Sequence, residues 1–133
     1  PEWGIYTGGA GGTPTPYVTT VLPNMVFHPD INNNGQVAYV AETGSETGIF
    51  AGPNPATDKV IAIDDPLDGS TVYGFFVRQF NGHFFNDYGQ VVFYASLVDG
   101  RQGFYRADPE GLELPREGTV GPSINYLLLE ETP

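Results

Sequence analysis

The chain has 133 residues, a formal net charge of −11 and no Cys. Its length fits one domain with a substantial core. Only five residues are Lys or Arg, so the sequence predicts no nucleic-acid partner and no attraction to anionic membranes, which both need clustered cations. The lack of Cys excludes disulfides and thiolate chemistry, and no apolar run approaches the length of a membrane span, so no membrane insertion is expected.

The composition favours an all-β fold. Eighteen Gly and twelve Pro interrupt the chain often, and nine Phe and eight Tyr are typical of strands. No segment carries a convincing helical periodicity. We predict one domain of tandem antiparallel units of four strands, each resembling one β-propeller blade, with a β-sandwich as the alternative.

Residues 1–22 look like the end of a unit. The run at 2–8 parallels the run at 46–52, because both contain Gly, Ile and an aromatic residue in succession. A loop rich in Gly, Pro and Thr follows, and then a plausible strand at 17–22. We therefore assign 1–22 to a partial unit.

Residues 23–67 hold the first full unit. Its predicted strands lie at 25–27, 36–41, 48–51 and 59–63. Turns are predicted at 28–30, where Pro keeps its neighbour extended, at Asn34-Gly35 and at Gly44-Ser45.

Residues 68–114 repeat this plan as a second unit. The segment 85–95 matches 31–41 at a distance of 54 positions, with Asn, Gly, Gln, Val and the final Ala in register. We expect the two segments to form equivalent turns and strands, with positive φ or close backbone contact at Gly35 and Gly89. The remaining predicted strands lie at 72–77, 103–106 and 112–114, and the hairpin turns at Asn81-Gly82 and Asp99-Gly100.

Residues 115–133 are predicted to begin a further, partial unit. The run Pro-Ser-Ile-Asn at 122–125 matches Pro-Asp-Ile-Asn at 29–32. The next residues, 126–130, contain no Gly where the turn would come. We expect a terminal strand that closes a sheet or pairs with a neighbouring chain.

The repeated motif resembles a known family. The run N-x-x-G-x-x-A-Y that begins at Asn32 is similar to the N-x-x-G-x-x-A-F tandem repeat of bacterial surface and secreted proteins. The copy that begins at Asn86 differs by Val92 at the Ala position. The resemblance covers most of residues 2–125. It implies an extracellular, β-rich repeat protein, often carried with a cell-surface anchor, and it implies no catalytic residue.

The turn of the first motif also fits the opening of a calcium loop, D-x-[DN]-x-[DN]-G. Asp30, Asn32 and Asn34 would be the ligands, because oxygens at alternate positions converge on one hard cation and Gly35 permits the sharp turn.

Two observations oppose this calcium site. The position of the usual bidentate acid is Ala41, and the second repeat has Phe84 and Tyr88 in place of the first and third ligands. We favour the alternative, an Asx-rich turn whose side chains bond its own backbone. No other cofactor is predicted.

Other residues offer weaker signals. Asp58, Asp64, Asp65 and Asp68 form an acidic cluster in the sequence that could hold a cation or pair for hydrolysis. Hydrolysis of a glycoside needs two carboxylates at a defined separation, which this spacing does not indicate. We interpret them as solvated turns.

Two His residues and the many aromatic residues complete the set of candidates. His28 and His83 each precede a repeated turn, and no third ligand recurs with them. Aromatic side chains on a strand face could stack on sugars, although most are expected in the core.

The leading functional hypothesis is a non-enzymatic extracellular repeat module with a structural or adhesive role. It would self-associate through edge strands into an oligomer or filament. The alternative is a calcium- or carbohydrate-binding, lectin-like domain. A glycan-processing enzyme that uses the acidic loops is the third and least favoured hypothesis.

Overall fold

A computed structural model describes residues 4–18, 26–77, 82–110 and 123–127. This part of the chain contains β-strands and no helix, so the predicted all-β class is confirmed and no helix that could span a membrane is present in it. The strands are β1 (Tyr6–Thr7), β2 (Thr15–Pro16), β3 (Val26–Ile31), β4 (Val37–Glu42), β5 (Thr47–Ala51), β6 (Lys59–Ala62), β7 (Pro66–Leu67), β8 (Ser70–Phe76), β9 (Val91–Leu97), β10 (Gln102–Asp108) and β11 (Ser123–Leu127).

These strands form three antiparallel sheets. We call them the N-terminal sheet (β1-β2), the first sheet (β3-β4-β5-β6) and the second sheet (β7-β8-β9-β10-β11). In the first and second sheets, strands that are sequential in the chain are neighbours in the sheet, the arrangement expected of blade-like units.

The first sheet differs from the prediction at 28–30. We expected a turn there, but β3 runs through it as a bulge, with a register shift between Phe27 and Asp30. His28 lies in this bulge and has a φ of 49°. A bulge of this kind lets a strand bend while its pairing with the next strand continues.

The second sheet repeats the first along its middle strands. β9 is equivalent to β4 and β10 to β5, and the predicted hairpin turn at Asp99-Gly100 joins β9 to β10, with Gly100 at a φ of 92°. The predicted turn residue Asn81 and the predicted strand at 112–114 lie outside the described residues.

The fourth position of the second sheet is held by β11. It lies in the predicted partial unit 115–133, where we expected a terminal strand that closes a sheet or pairs with a neighbouring chain. Ser123 to Leu127 pair with β10 over five positions, in the place that β6 holds in the first sheet. The backbone of β10 needs a partner on this edge, and the pairing satisfies it.

Each large sheet has two faces, which we name by the neighbouring unit that each one points towards. The leading face points towards the following unit, and in the first sheet it carries Ala38, Val40 and Ile49. The trailing face points towards the preceding unit, and in the first sheet it carries Tyr39 and Phe50. In the second sheet, by the repeat, Val92, Tyr94 and Phe104 lie on the leading face and Phe93 and Tyr105 on the trailing face.

Two hydrophobic clusters show how the sheets stack. The leading face of the first sheet packs on the trailing face of the second, in a cluster that includes Ile49, Phe93 and Tyr105. The trailing face of the first sheet packs on the N-terminal sheet, where Ile5 and Val18 cover it. The first sheet is therefore buried on both faces, as the pattern of β4 shows.

The trailing faces repeat one aromatic contact. The rings of Tyr39 and Phe50 stack with centroids 5.7 Å apart, and those of Phe93 and Tyr105 stack at 5.9 Å. The Tyr39 hydroxyl is buried and has no hydrogen-bond partner among the described residues, and burial raises the pKa of this phenol. The equivalent residue Phe93 has no hydroxyl, so the second sheet makes the same ring contact without the free-energy cost of burying an unpaired polar group.

Candidate functional site

The two repeated turns have the same hydrogen-bond design. The side-chain oxygen of Asn32 accepts bonds from the backbone amides of Asn34 and Gln36, both at 3.0 Å, and its amide donates to the Gln36 side chain at 2.8 Å. Asn86 makes the equivalent three bonds in the second copy. As predicted, Gly35 and Gly89 have positive φ, at 76° and 78°.

The two turns also bind each other. The Asn33 backbone amide and side-chain amide donate to the two carboxylate oxygens of Asp87, each at 2.8 Å. Asn34 donates to the Asp87 carbonyl at 2.9 Å and Asn32 to the Asn86 carbonyl at 3.1 Å. The bonds from Asn33 lower the pKa of the Asp87 carboxyl.

Asp30 extends this contact into the core. One of its oxygens accepts the backbone amides of Phe84 and Phe85 at 2.8 and 3.0 Å, and the other bonds His83 Nδ1 at 2.7 Å. The bond to Asp30 raises the pKa of the exposed His83. We call Asp30, Asn32, Asn33, Asn34, His83, Asn86 and Asp87 the inter-unit junction.

The predicted calcium ligands are therefore engaged in protein contacts. Both Asp30 oxygens and the Asn32 oxygen accept hydrogen bonds, and Asn34 directs its amide to Asp87. Over the described ranges, no three His, Cys, Asp or Glu residues are grouped as a metal site. Calcium binding stays a prediction, and it would require these bonds to rearrange.

The four acidic residues predicted as a cluster act separately. Asp58 accepts the Asn54 amide at 2.8 Å, Asp65 accepts the Ala62 amide and pairs with Lys59, and Asp68 pairs with Arg101 at 2.7 Å. Asp64 lies in a turn with a φ of 72°. These contacts agree with the interpretation as turn residues.

A small cavity of about 240 Å³ lies between the two large sheets and has Asp58, Lys59, Asp108 and Glu110 in its lining. The Asp108 carboxylate bonds Gln90 at 2.7 Å and Arg106 at 2.9 Å. The two aspartates are thus held by structural bonds, and the question of glycoside hydrolysis stays open.

The two predicted His positions differ in their surroundings. His83 belongs to the inter-unit junction, whereas His28 forms the bulge in β3. The structure does not bring them together in a metal site over the described ranges.

An aromatic row crosses the leading face of the second sheet. The rings of Phe76 and Tyr94 lie 4.8 Å apart, and Phe104 meets Tyr94 edge-on at 5.3 Å. Phe76 is 53% exposed, Val92 44% and Phe104 38%. This face carries an exposed row of apolar side chains, with Arg106 beside Val92, whereas the equivalent face of the first sheet is covered.

The N-terminal sheet has an open strand edge. In the described part of the chain, β1 pairs only with β2. The Tyr17 amide donates to the Ile5 carbonyl at 2.7 Å, so the backbone groups of Tyr6 point away from β2. An open cleft of about 620 Å³ lies beside this strand, with Ile5, Tyr6, Ile31 and Val37 in its lining.

No family model, curated protein or solved structure matches this chain. The resemblance to the N-x-x-G-x-x-A-F repeat proteins therefore stays a prediction.

Sequence reasoning missed Asp87 and the aromatic row as parts of a site. For Asp87, the signal was an acid at the repeat position of Asn33. For the aromatic row, the signal was Tyr94 and Phe104 at the repeat positions of the smaller Val40 and Ile49.

Proposed function

We propose that this protein is a non-enzymatic structural or adhesive repeat module that self-associates through an open strand edge. The observation that carries the proposal is the edge of β1, which is unpaired among the described residues and lies beside an open cleft. An edge of this kind offers backbone donors and acceptors to an added strand, and the cleft offers room for its side chains.

The stacking of units supports the same role. The N-terminal sheet, the first sheet and the second sheet lie face to face in chain order, joined by apolar clusters and by the inter-unit junction. A stack in which each unit packs on its neighbour suits a structural part. The extracellular location rests on the resemblance of the two Asn-Gly motifs alone.

The test is the native size of the protein as a function of concentration, by light scattering. We expect oligomers that grow with concentration. Tyr6→Pro removes the outward backbone donor of β1, and Tyr6→Ser removes the same ring but keeps that donor. The proposal requires that Tyr6→Pro weakens association more than Tyr6→Ser does. A wild-type chain that stays monomeric at high concentration contradicts it.

The aromatic row favours carbohydrate binding as a second candidate function, because exposed rings on a sheet can stack on sugar faces. A glycan array tests this candidate directly. Titration calorimetry with calcium tests the related calcium hypothesis, for which Asp30→Asn is the matched variant. Binding to either ligand without any self-association would favour the lectin-like alternative.

A further inference from the structure

Among the described residues, each leading face is covered by the sheet that follows it, except the leading face of the second sheet. Ile5 of the N-terminal sheet is covered by the trailing face of the first sheet. Ile49 of the first sheet, at the repeat position of Ile5, is covered by the trailing face of the second sheet and is fully buried. Phe104, at the same repeat position in the second sheet, is 38% exposed.

Each trailing face is covered by the sheet that precedes it, and among the described residues the exception is the N-terminal sheet. Phe50 and Tyr105, at one repeat position, are both buried in the stack. Tyr6 holds this position in the N-terminal sheet and is 61% exposed. Over the described residues, one leading face and one trailing face thus remain open, at opposite ends of the stack.

We propose that the leading face of the second sheet docks on the N-terminal sheet of a second copy of this chain, head to tail. The inference rests on the proposed self-association and adds to the strand edge a second contact, between sheet faces. A second copy fits because it supplies the open trailing residue Tyr6, at the repeat position of the rings that cover Ile5 and Ile49 inside one chain.

The chemistry of the two surfaces agrees with this docking. Val92, Tyr94 and Phe104 occupy the repeat positions of Ala38, Val40 and Ile49, so these three positions stay apolar, with Arg106 beside Val92 at the edge of the surface. Tyr6 also borders the open cleft between β1 and the first sheet, whose lining includes Ile31 and Val37. Because the two ends differ, repetition of the contact produces rings or filaments.

Ionic strength gives a first check of this interface. Each copy carries a formal charge of −11, so two copies repel each other, whereas the docking surfaces are apolar. Salt screens the repulsion and does not weaken apolar contacts. We expect association to strengthen as salt rises, and weakening with salt would overturn an apolar interface.

The decisive experiment uses two variants that each block one end. Phe104→Asp blocks the leading face and leaves Tyr6 intact, and Tyr6→Asp does the reverse. Sedimentation velocity should show that each variant alone associates more weakly than the wild type, on the order of tenfold or more. An equimolar mixture should form dimers, since one good end of each kind remains. Circular dichroism confirms the β signal, and Val92→Asp replaces Phe104→Asp if that variant unfolds.

The possible results distinguish a second copy of the chain from the other partners that could bind the leading face. Val98→Ser, in the exposed β9–β10 turn, is the control and should associate like the wild type. If the wild type associates and Phe104→Asp does so undiminished, this inference is overturned while strand-edge assembly stands. If the wild type is monomeric, both proposals are overturned. If the mixture stays monomeric, or if the aromatic row binds a glycan instead, head-to-tail docking is overturned.

Discussion

The first and second sheets are built from the same repeated sequence but differ in what covers them. The first sheet lies between two neighbours, so Ile49 on one face and Phe50 on the other are both fully buried. Among the described residues, the second sheet has a neighbour on its trailing face only, and the leading face keeps Phe76, Val92 and Phe104 exposed. The comparison shows that burial in this protein is decided by the stack of units and not by the unit itself.

The side chains reflect this difference. The covered leading face of the first sheet uses Ala38 and Val40, which allow the next sheet to approach closely. The second sheet has Val92 and Tyr94 at these positions. Larger side chains on an open face would overfill a gap of the same width, so a partner there would need a wider spacing than the one between the first and second sheets.

The largest expected contrast is between equivalent positions of the two sheets. Ile49→Ala leaves a cavity in a packed core and should lower the free energy of unfolding by about 2 to 5 kcal/mol. Phe104→Ala removes a half-open ring that mainly touches Tyr94 and should cost about 1 kcal/mol. Urea denaturation measures both. Equal costs would mean that the leading face of the second sheet is covered in solution.

The junction gives the next largest effect. Asp30→Ala leaves the amides of Phe84 and Phe85 without their acceptor in a buried place, which should cost about 2 to 4 kcal/mol. Asp30→Asn keeps one acceptor oxygen and should cost less. The exposed Asp87 makes the matched control, since Asp87→Ala should destabilise less than Asp30→Ala. The reverse order would mean that the exposed half of the junction holds the sheets together.

The two turn glycines sharpen the comparison further. Both have positive φ, so Gly35→Ala should cost about 1 kcal/mol from backbone strain alone. At Gly89, an added Cβ would also lie 3.2 Å from Cγ of Pro109, whereas nothing lies within 4 Å at Gly35. Gly89→Ala should therefore cost about 2 kcal/mol. Thermal unfolding of both variants measures the two costs. Equal decreases in Tm would show that Pro109 moves aside to make room for the added Cβ.

A stabilising change is expected at Tyr39. Its hydroxyl is buried without a partner, while the second sheet has Phe93 at the equivalent position. Tyr39→Phe should raise the free energy of unfolding by up to about 1 kcal/mol, because the unpaired polar group is removed. Phe93→Tyr is the reciprocal variant and should be destabilising. A clear loss of stability in Tyr39→Phe would reveal a bond that this hydroxyl makes in solution.

The smallest effect is the pH dependence of the junction. The contact with Asp30 raises the pKa of His83, so its stabilisation is full below the ordinary His pKa of about 6.5 and is lost as pH rises through the raised pKa. Wild-type protein should therefore exceed His83→Gln in stability by more at about pH 5.5 than at about pH 9. A difference that does not change with pH would show that the contact is absent.

Much of the candidate site followed from the sequence. The motif at Asn32 and Asn86 predicted both turns and both positive-φ glycines, because an Asn side chain bonds amides two and four positions ahead in its own chain. The contact between Asn33 and Asp87 did not follow, since it depends on where the second turn lies in space. The same holds for Asp30, whose partners are more than fifty residues away.

The sequence by itself determined the elements of this protein: the strand class, the repeat of 54 positions and the chemistry of each turn. These features are local, because an Asn-Gly turn and a β-branched run act within a few residues of each other. Only the tertiary structure decided that β11 completes the second sheet, that Asp30 binds the next unit, and that one leading face stays open. These three features depend on which distant segments come into contact. Whether a residue is buried depends on both surfaces that meet, so neither segment's sequence determines it alone.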